Sequence, residues 1–281
     1  MPALIVSFLA LLLVLWLLGQ PYLSAARRQR IRQRPFPDAW RRVLQGLPCA
    51  AELPPELQAR LQGHIQVFIA DKAFIGCQGL VMNDEIRITI AAQACLLILG
   101  SSSAHYQNLR EILVYPDSFV VEHEHTDSIG VEHHSRQVLA GESWERGQVV
   151  LSWHDTLAGA TRTDDGYNVV IHEFAHQLDQ EAGSANGAPR LPRREHYTRW
   201  SKVLGAEFER LRRVASRHEP SLFDDYGASD PAEFFAVISE AFFEQPQRML
   251  TEHPELYREL KFFYRLDPAS WLGASTLTSS Q

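Results

Sequence analysis

Within this chain the stretch Val169-Val170-Ile171-His172-Glu173-Phe174-Ala175-His176-Gln177-Leu178-Asp179 narrows the choice of fold and chemistry furthest. It contains His-Glu-x-x-His. On a helix, residues four apart lie one turn apart on the same face, so His172 and His176 can share one metal ion. Glu173 then lies beside that ion, within reach of a water molecule. The flanks favour a helix: Asp164 and Asp165 offer capping carboxylates, the apolar run lacks proline, and Gly183 suits a C-terminal stop. The pattern points to metal-dependent hydrolysis, with zinc as the metal.

A catalytic zinc takes three protein ligands and keeps one position open. A third histidine in the pattern HExxHxxGxxH would require Gly at 179 and His at 182, and the chain has Asp179 and Ala182. The closing ligand must therefore come from elsewhere, and a later helix offers carboxylates. In Tyr226-Gly227-Ala228-Ser229-Asp230-Pro231-Ala232-Glu233, Asp230 suits an N-cap and Pro231 the first helical position. Glu233 and Glu240 follow on one face, two turns apart, among Phe234, Phe235, Val237, Ile238, Phe242 and Phe243. Carboxylates on so apolar a helix need partners. Spacing alone leaves Glu233 open between ligand and the closing glutamate of a capping box. Glu240 reads either as the ligand or as an acceptor for a histidine N–H. Asp179 reads as a histidine-orienting acid or a solvated one.

The N-terminus carries a different signal. Ala3 to Leu18 is apolar apart from Ser7, and Arg27, Arg28, Arg30, Arg32 and Arg34 follow. About 20 helical residues span a bilayer core, and arginines stay on the cytoplasmic side. A cleaved secretory signal would normally place its charge before the apolar run. The expectation is one transmembrane helix over residues 1–22, a basic linker over 23–37, and a catalytic body at the cytoplasmic face of the inner membrane, with the bilayer as a partner. An overall charge of −7 with +5 in the first 34 residues leaves −12 for the rest. So acidic a body argues against nucleic acid as a direct partner. The three cysteines, Cys49, Cys77 and Cys95, are too scattered for a disulfide framework or a thiolate zinc site and read as reduced thiols.

Between these signals the periodicity is mixed. Trp40, Val43, Leu44 and Leu47, then Leu57, Leu61, Ile65, Phe68 and Ile69, read as amphipathic helices. Residues 112–115, 119–121 and 147–153 read as strands, and 148–153 suits an edge to which a peptide adds, or an ordinary core strand. Long helices are expected over 194–217, 231–244 and 254–264. Residues 271–281 read as a disordered tail. The histidine-rich run from Glu122 to His134 reads as a polar surface. The whole implies an α+β fold.

The segments His-Glu-Phe-Ala-His-Gln-Leu-Asp and Tyr-Gly-Ala-Ser-Asp-Pro-Ala-Glu-Phe-Phe-Ala-Val-Ile-Ser-Glu closely resemble the Mlc titration factor A family of zinc-dependent peptidases. Residues 112–116, 119–121, 129–130, 141–144 and 149–153 match as well, so the resemblance covers roughly 38–270. It implies a zincin-like α+β core and a single zinc ion held by His172, His176 and Glu233. It also implies Glu173 as general base, Tyr226 as a catalytic tyrosine, and aminopeptidase-like activity on peptide or protein substrates. The family name implies an alternative, a binding module that sequesters a transcriptional repressor.

Overall fold

The computed structural model describes residues 2–101, 106–126, 132–139, 141–144, 147–181 and 183–271. The side chains of most of residues 2–18 and of 119–126, 132–139 and 141–144 lie outside the description. Helix α1 (Pro2–Arg32) leads into α2 (Asp38–Gln45), the single turn α3 (Pro48–Ala51) and α4 (Pro55–Asp71). Strand β1 (Ala73–Gly76) and helix α5 (Asp84–Leu96) come next. Then follow β2 (Glu111–Tyr115), β3 (Phe119–Thr126), β4 (Glu132–Leu139), β5 (Gly141–Trp144) and β6 (Gln148–Ser152). The chain closes with helices α6 (Trp153–Thr161), α7 (Val169–Gln180), α8 (Arg194–Ser216), α9 (Pro231–Glu244), α10 (Pro246–Glu252) and α11 (Pro254–Tyr264). The fold is α+β, mostly helical, and consistent with the expected zincin-like core.

Four strands form one sheet in the order β1-β2-β6-β5. The first three run parallel, and β5 closes the sheet antiparallel to β6, with Gly141 opposite Leu151. Strand β6 is therefore internal, paired on both sides, and the outer strand next to it is β5. Of the two readings left open for 148–153, this selects the core strand over the edge. Val149 and Leu151, which share one face of β6, are fully buried. Strands β3 and β4 form a separate hairpin. The histidine-rich run falls on these two strands and on residues between them that lie outside the described residues, as do the side chains of both strands.

Helix α7 lies in the core. Its Phe174 packs against Phe68 of α4 and Tyr106, at ring-centroid distances of 5.6 and 4.9 Å. Helix α9 is equally buried: Phe235, Ala236, Ile238 and Phe242 are fully enclosed. At its start, Asp230 accepts the N–H groups of Ala232 and Glu233, with Pro231 in the first turn. The two helices that carry the candidate ligands are thus fixed by packing before any metal is considered.

Among the described residues no helix is long and apolar enough to cross a membrane. This corrects the expected span over residues 1–22, and with it the placement at the inner membrane with a cytoplasmic body. Most of the side chains on which that expectation rested lie outside the description. The backbone also differs from it: α1 does not end near residue 22 but continues through the expected linker to Arg32. Its polar second half docks on α4, where Arg27 and Arg28 bond Asp71 at 2.5 and 2.7 Å. At the other end Trp271 is buried in the core, and residues 272–281 lie outside the description. All three cysteines are free thiols.

Candidate metal centre

The N-cap of α7 is Asn168 rather than Asp164 or Asp165: its side-chain oxygen accepts the N–H of Ile171 at 3.0 Å. From that start, His172 and His176 fall one turn apart and face α9. Nε2 of His172 lies 3.0 Å from Oε2 of Glu233 and 3.2 Å from Nε2 of His176. His176 Nε2 lies 3.3 Å from the same carboxylate oxygen. The three ligand atoms of His172, His176 and Glu233 all fall within 4.8 Å of one another.

The donor set fits a metal. On the opposite side of the ring, Nδ1 of His172 lies 2.8 Å from Oε1 of Glu240. A carboxylate there holds the proton on Nδ1, so the Nε2 lone pair faces Glu233 and His176. Lone pairs then converge on one point, where a cation stabilises them. Tetrahedral coordination at about 2.0–2.1 Å places ligand atoms roughly 3.3 Å apart, close to the separations found. Two histidines and a glutamate are a complete protein ligand set for a catalytic zinc, with one position left open.

Electrostatics agree with that chemistry. Burial works to raise the Glu233 carboxyl, but hydrogen bonds from His172 and His176 outweigh it and hold the group at about 2. Burial disfavours the charged form of His172, yet Glu233 and Glu240 lift its pKa well above the usual histidine value. A site that draws a proton so strongly offers the same attraction to a metal. Glu240 is raised by its complete burial, offset in part by His172.

Glu173, next to His172, is buried. Tyr226 lies in a 3-10 turn (Asp225–Ala228) just before α9 and is half exposed. Its ring centroid is 6.1 Å from that of His172. Burial, then the charges of Glu233 and Glu173, push its hydroxyl up to about 12, so it remains a donor. Asp179 is fully buried and holds a loop: its Oδ2 accepts the N–H groups of Asn186 and Gly187 at 2.8 and 2.7 Å.

Three residues at the site were not read from the sequence. Tyr167 is half exposed, with its hydroxyl raised to about 12 by burial and by the field of Glu240, Asp155 and Glu173. Asn168 and Glu244 form a buried polar contact behind the histidines. The signal for Asn168 was available, because a cap residue sits immediately before the first apolar residue of its helix.

An α+β core in which a His-Glu-x-x-His helix and a glutamate from a later helix converge defines a metallopeptidase-like protein. The chain belongs to the glucose-regulated metallo-peptidase M90 family, whose profile matches residues 23–265. It is 41% identical over 270 residues to an uncharacterized protein of Synechocystis sp., covering 95% of this chain and 98% of that one. It is 35% identical to the Mlc titration factor A of Serratia proteamaculans (83% of this chain, 88% of the relative). Against that of Pectobacterium atrosepticum it is 34% identical (80% and 85%).

Proposed function

We propose that the protein is a zinc-dependent peptidase with aminopeptidase-like action on peptides. The observation that carries this reading is the convergence of His172, His176 and Glu233 on one point, with Glu173 on the same helix turn. When bound, zinc supplies Lewis-acid polarisation of the scissile carbonyl and a lowered pKa for water. His172, His176 and Glu233 hold it. Glu173 accepts the proton of the attacking water and returns it to the leaving amine. Tyr226, protonated at neutral pH, donates a hydrogen bond to the oxyanion that develops on the carbonyl oxygen. The outer strand β5 offers backbone groups on which an extended substrate adds as a further strand.

The relatives named Mlc titration factor A favour a second reading, a fold that binds and sequesters a transcriptional repressor. Hydrolysis of amino-acid anilides and short peptides by the full chain, with and without a chelator, separates the two. The peptidase reading expects one zinc per chain, activity abolished by chelation, and activity lost in Glu173→Gln with zinc retained. Activity surviving that substitution, or none from the zinc-loaded wild type, sinks it. Repressor capture that persists in Glu173→Gln, from a chain that cleaves nothing, establishes the binding module instead.

A further inference from the structure

Asn168 lies behind the histidines at the meeting of four elements and is 3% exposed. Its side-chain oxygen caps α7. Its side-chain amide nitrogen reaches Gln93 Oε1 of α5 at 2.8 Å, Glu244 Oε1 of α9 at 2.9 Å and the Gly159 carbonyl of α6 at 3.2 Å. Its backbone N–H donates to Glu240 Oε2, and its carbonyl accepts the N–H of His172 at 2.9 Å. Glu244 also accepts the N–H of Gly166 at 3.1 Å.

The two α9 carboxylates therefore grip the beginning of α7 one turn apart. Glu240 bridges the Asn168 N–H and the His172 ring, while Glu244 takes the Asn168 amide and the Gly166 N–H. On the same face of α9, Glu233 projects at the ligand centre. The distance between the ligand-bearing residues of α7 and α9 is thus fixed by polar contacts as well as by apolar packing.

Residue type matters at this position. Serine, threonine or aspartate caps a helix about as well as asparagine. Of these caps, asparagine alone adds two N–H donors to the accepting oxygen, and here the donors meet acceptors on three other helices. Aspartate would place a third carboxylate beside Glu240 and Glu244. The neighbouring backbone makes room: a Cβ on Gly159 would lie 3.2 Å from the Asn168 Cα, Cγ and amide nitrogen.

We propose that Asn168 is a positioning residue which, through Glu244 and Glu240 of α9 and Gln93 of α5, sets the separation of His172 from Glu233 and so the affinity and turnover of the metal site. The inference rests on the metallopeptidase reading above. Its test is the zinc affinity of the full chain, by competition with a chromogenic chelator, together with kcat and KM on a peptide anilide.

Asn168→Ser keeps the helix cap and removes the donors. It is expected to bind zinc about 10–100-fold more weakly and to lose kcat rather than KM, at a temperature where circular dichroism shows it folded. Glu244→Ala should behave alike, and the double variant should lose far less than the product of the two single losses. A purely structural role lowers the unfolding temperature but leaves zinc affinity within twofold, and that result overturns the proposal. So do single losses that multiply. Should Asn168→Ser fail to fold, Glu244→Ala decides alone on the same twofold criterion. If wild type binds zinc no better than His176→Ala or Glu233→Ala, the metallopeptidase reading itself fails and takes this one with it. Tight wild-type binding with an unchanged Asn168→Ser removes this one only.

Discussion

Oε1 of Glu240 lies 2.8 Å from Nδ1 of His172, on the side of the ring away from Glu233. One carboxylate thereby settles which nitrogen of His172 carries the proton and which presents a lone pair. Glu240→Gln keeps the size of the side chain but removes the charge, and it replaces one of the two oxygens that accept from His172 and from the Asn168 N–H by an NH2 group, which only donates. Loss of such a partner typically weakens metal binding 10–100-fold. The expected outcome for Glu240→Gln is a zinc affinity reduced within that range, read by chelator competition. An affinity equal to wild type would show that the packing of His172 alone fixes the ring.

Tyr226 separates metal binding from turnover. Its ring stands 6.1 Å from His172 and its side chain is half exposed, and the phenylalanine ring keeps that contact while losing only the hydroxyl. Tyr226→Phe should leave zinc affinity within about twofold, while kcat falls about 10²–10³-fold, the usual effect of losing one oxyanion donor. Steady-state kinetics on a peptide anilide reads both. A kcat that does not move assigns Tyr226 to the wall of the cleft.

The elements that carry the candidate ligands were legible because their signals are local. The spacing of His172 and His176, and the Asp230-Pro231 helix start, fix geometry within one or two turns of chain. Spacing left Glu233 open between ligand and cap, since the third helical position suits both. Its carboxylate stands at the histidines, which only the packing of α9 against α7 decides. The cap position of Asn168 could be read locally, but its contacts with Gln93 and Glu244 could not, because those residues lie 75 and 76 positions away in the chain. The sequence left β6 open between edge and core strand for the same reason: its parallel pairing with β2 joins Gln148 to Glu111, 37 residues upstream. At the N-terminus, hydropathy led to a helix ending at residue 22, whereas α1 continues onto a contact with Asp71 that the sequence does not announce.

That contact carries a pH dependence. Burial tends to raise the Asp71 carboxyl, but hydrogen bonds from Arg28 and Arg27 bring it below its ordinary value of 3.8. A carboxylate whose folded pKa is depressed contributes stability that is fully present above the unfolded pKa. The contribution is lost as pH falls through the folded value. Asp71→Asn should therefore lower Tm by about 2–4 °C at pH 7, for a loss of about 1 kcal/mol where a half-buried carboxylate meets one exposed and one partly exposed arginine. The difference from wild type should shrink below about pH 4, where the unfolded carboxylate begins to protonate. Thermal unfolding at pH 7 and pH 3 measures both, and a constant difference would remove the ion pairs as its cause.

Gly187 links the buried Asp179 to the start of α9. Its φ of +74° lies in the left-handed region, and its N–H is held by Asp179 Oδ2 at 2.7 Å. A Cβ there would lie 2.3 Å from the carbonyl oxygen of Pro231, the first residue of α9 and two before Glu233. Backbone cannot move aside as a flexible side chain does. Gly187→Ala therefore has to strain its own dihedral, at about 1–3 kcal/mol, and displace the first turn of α9. The loop cannot simply swing away, since Trp200 donates to the Gly187 carbonyl at 2.9 Å and Asp179 holds the other side. Both unfolding temperature and zinc affinity should fall together in Gly187→Ala. In Gly183→Ala, whose added Cβ meets nothing within 4 Å although its φ is also positive, stability alone should fall. Equal zinc affinities in the two variants would mean that the first turn of α9 does not transmit the displacement to Glu233.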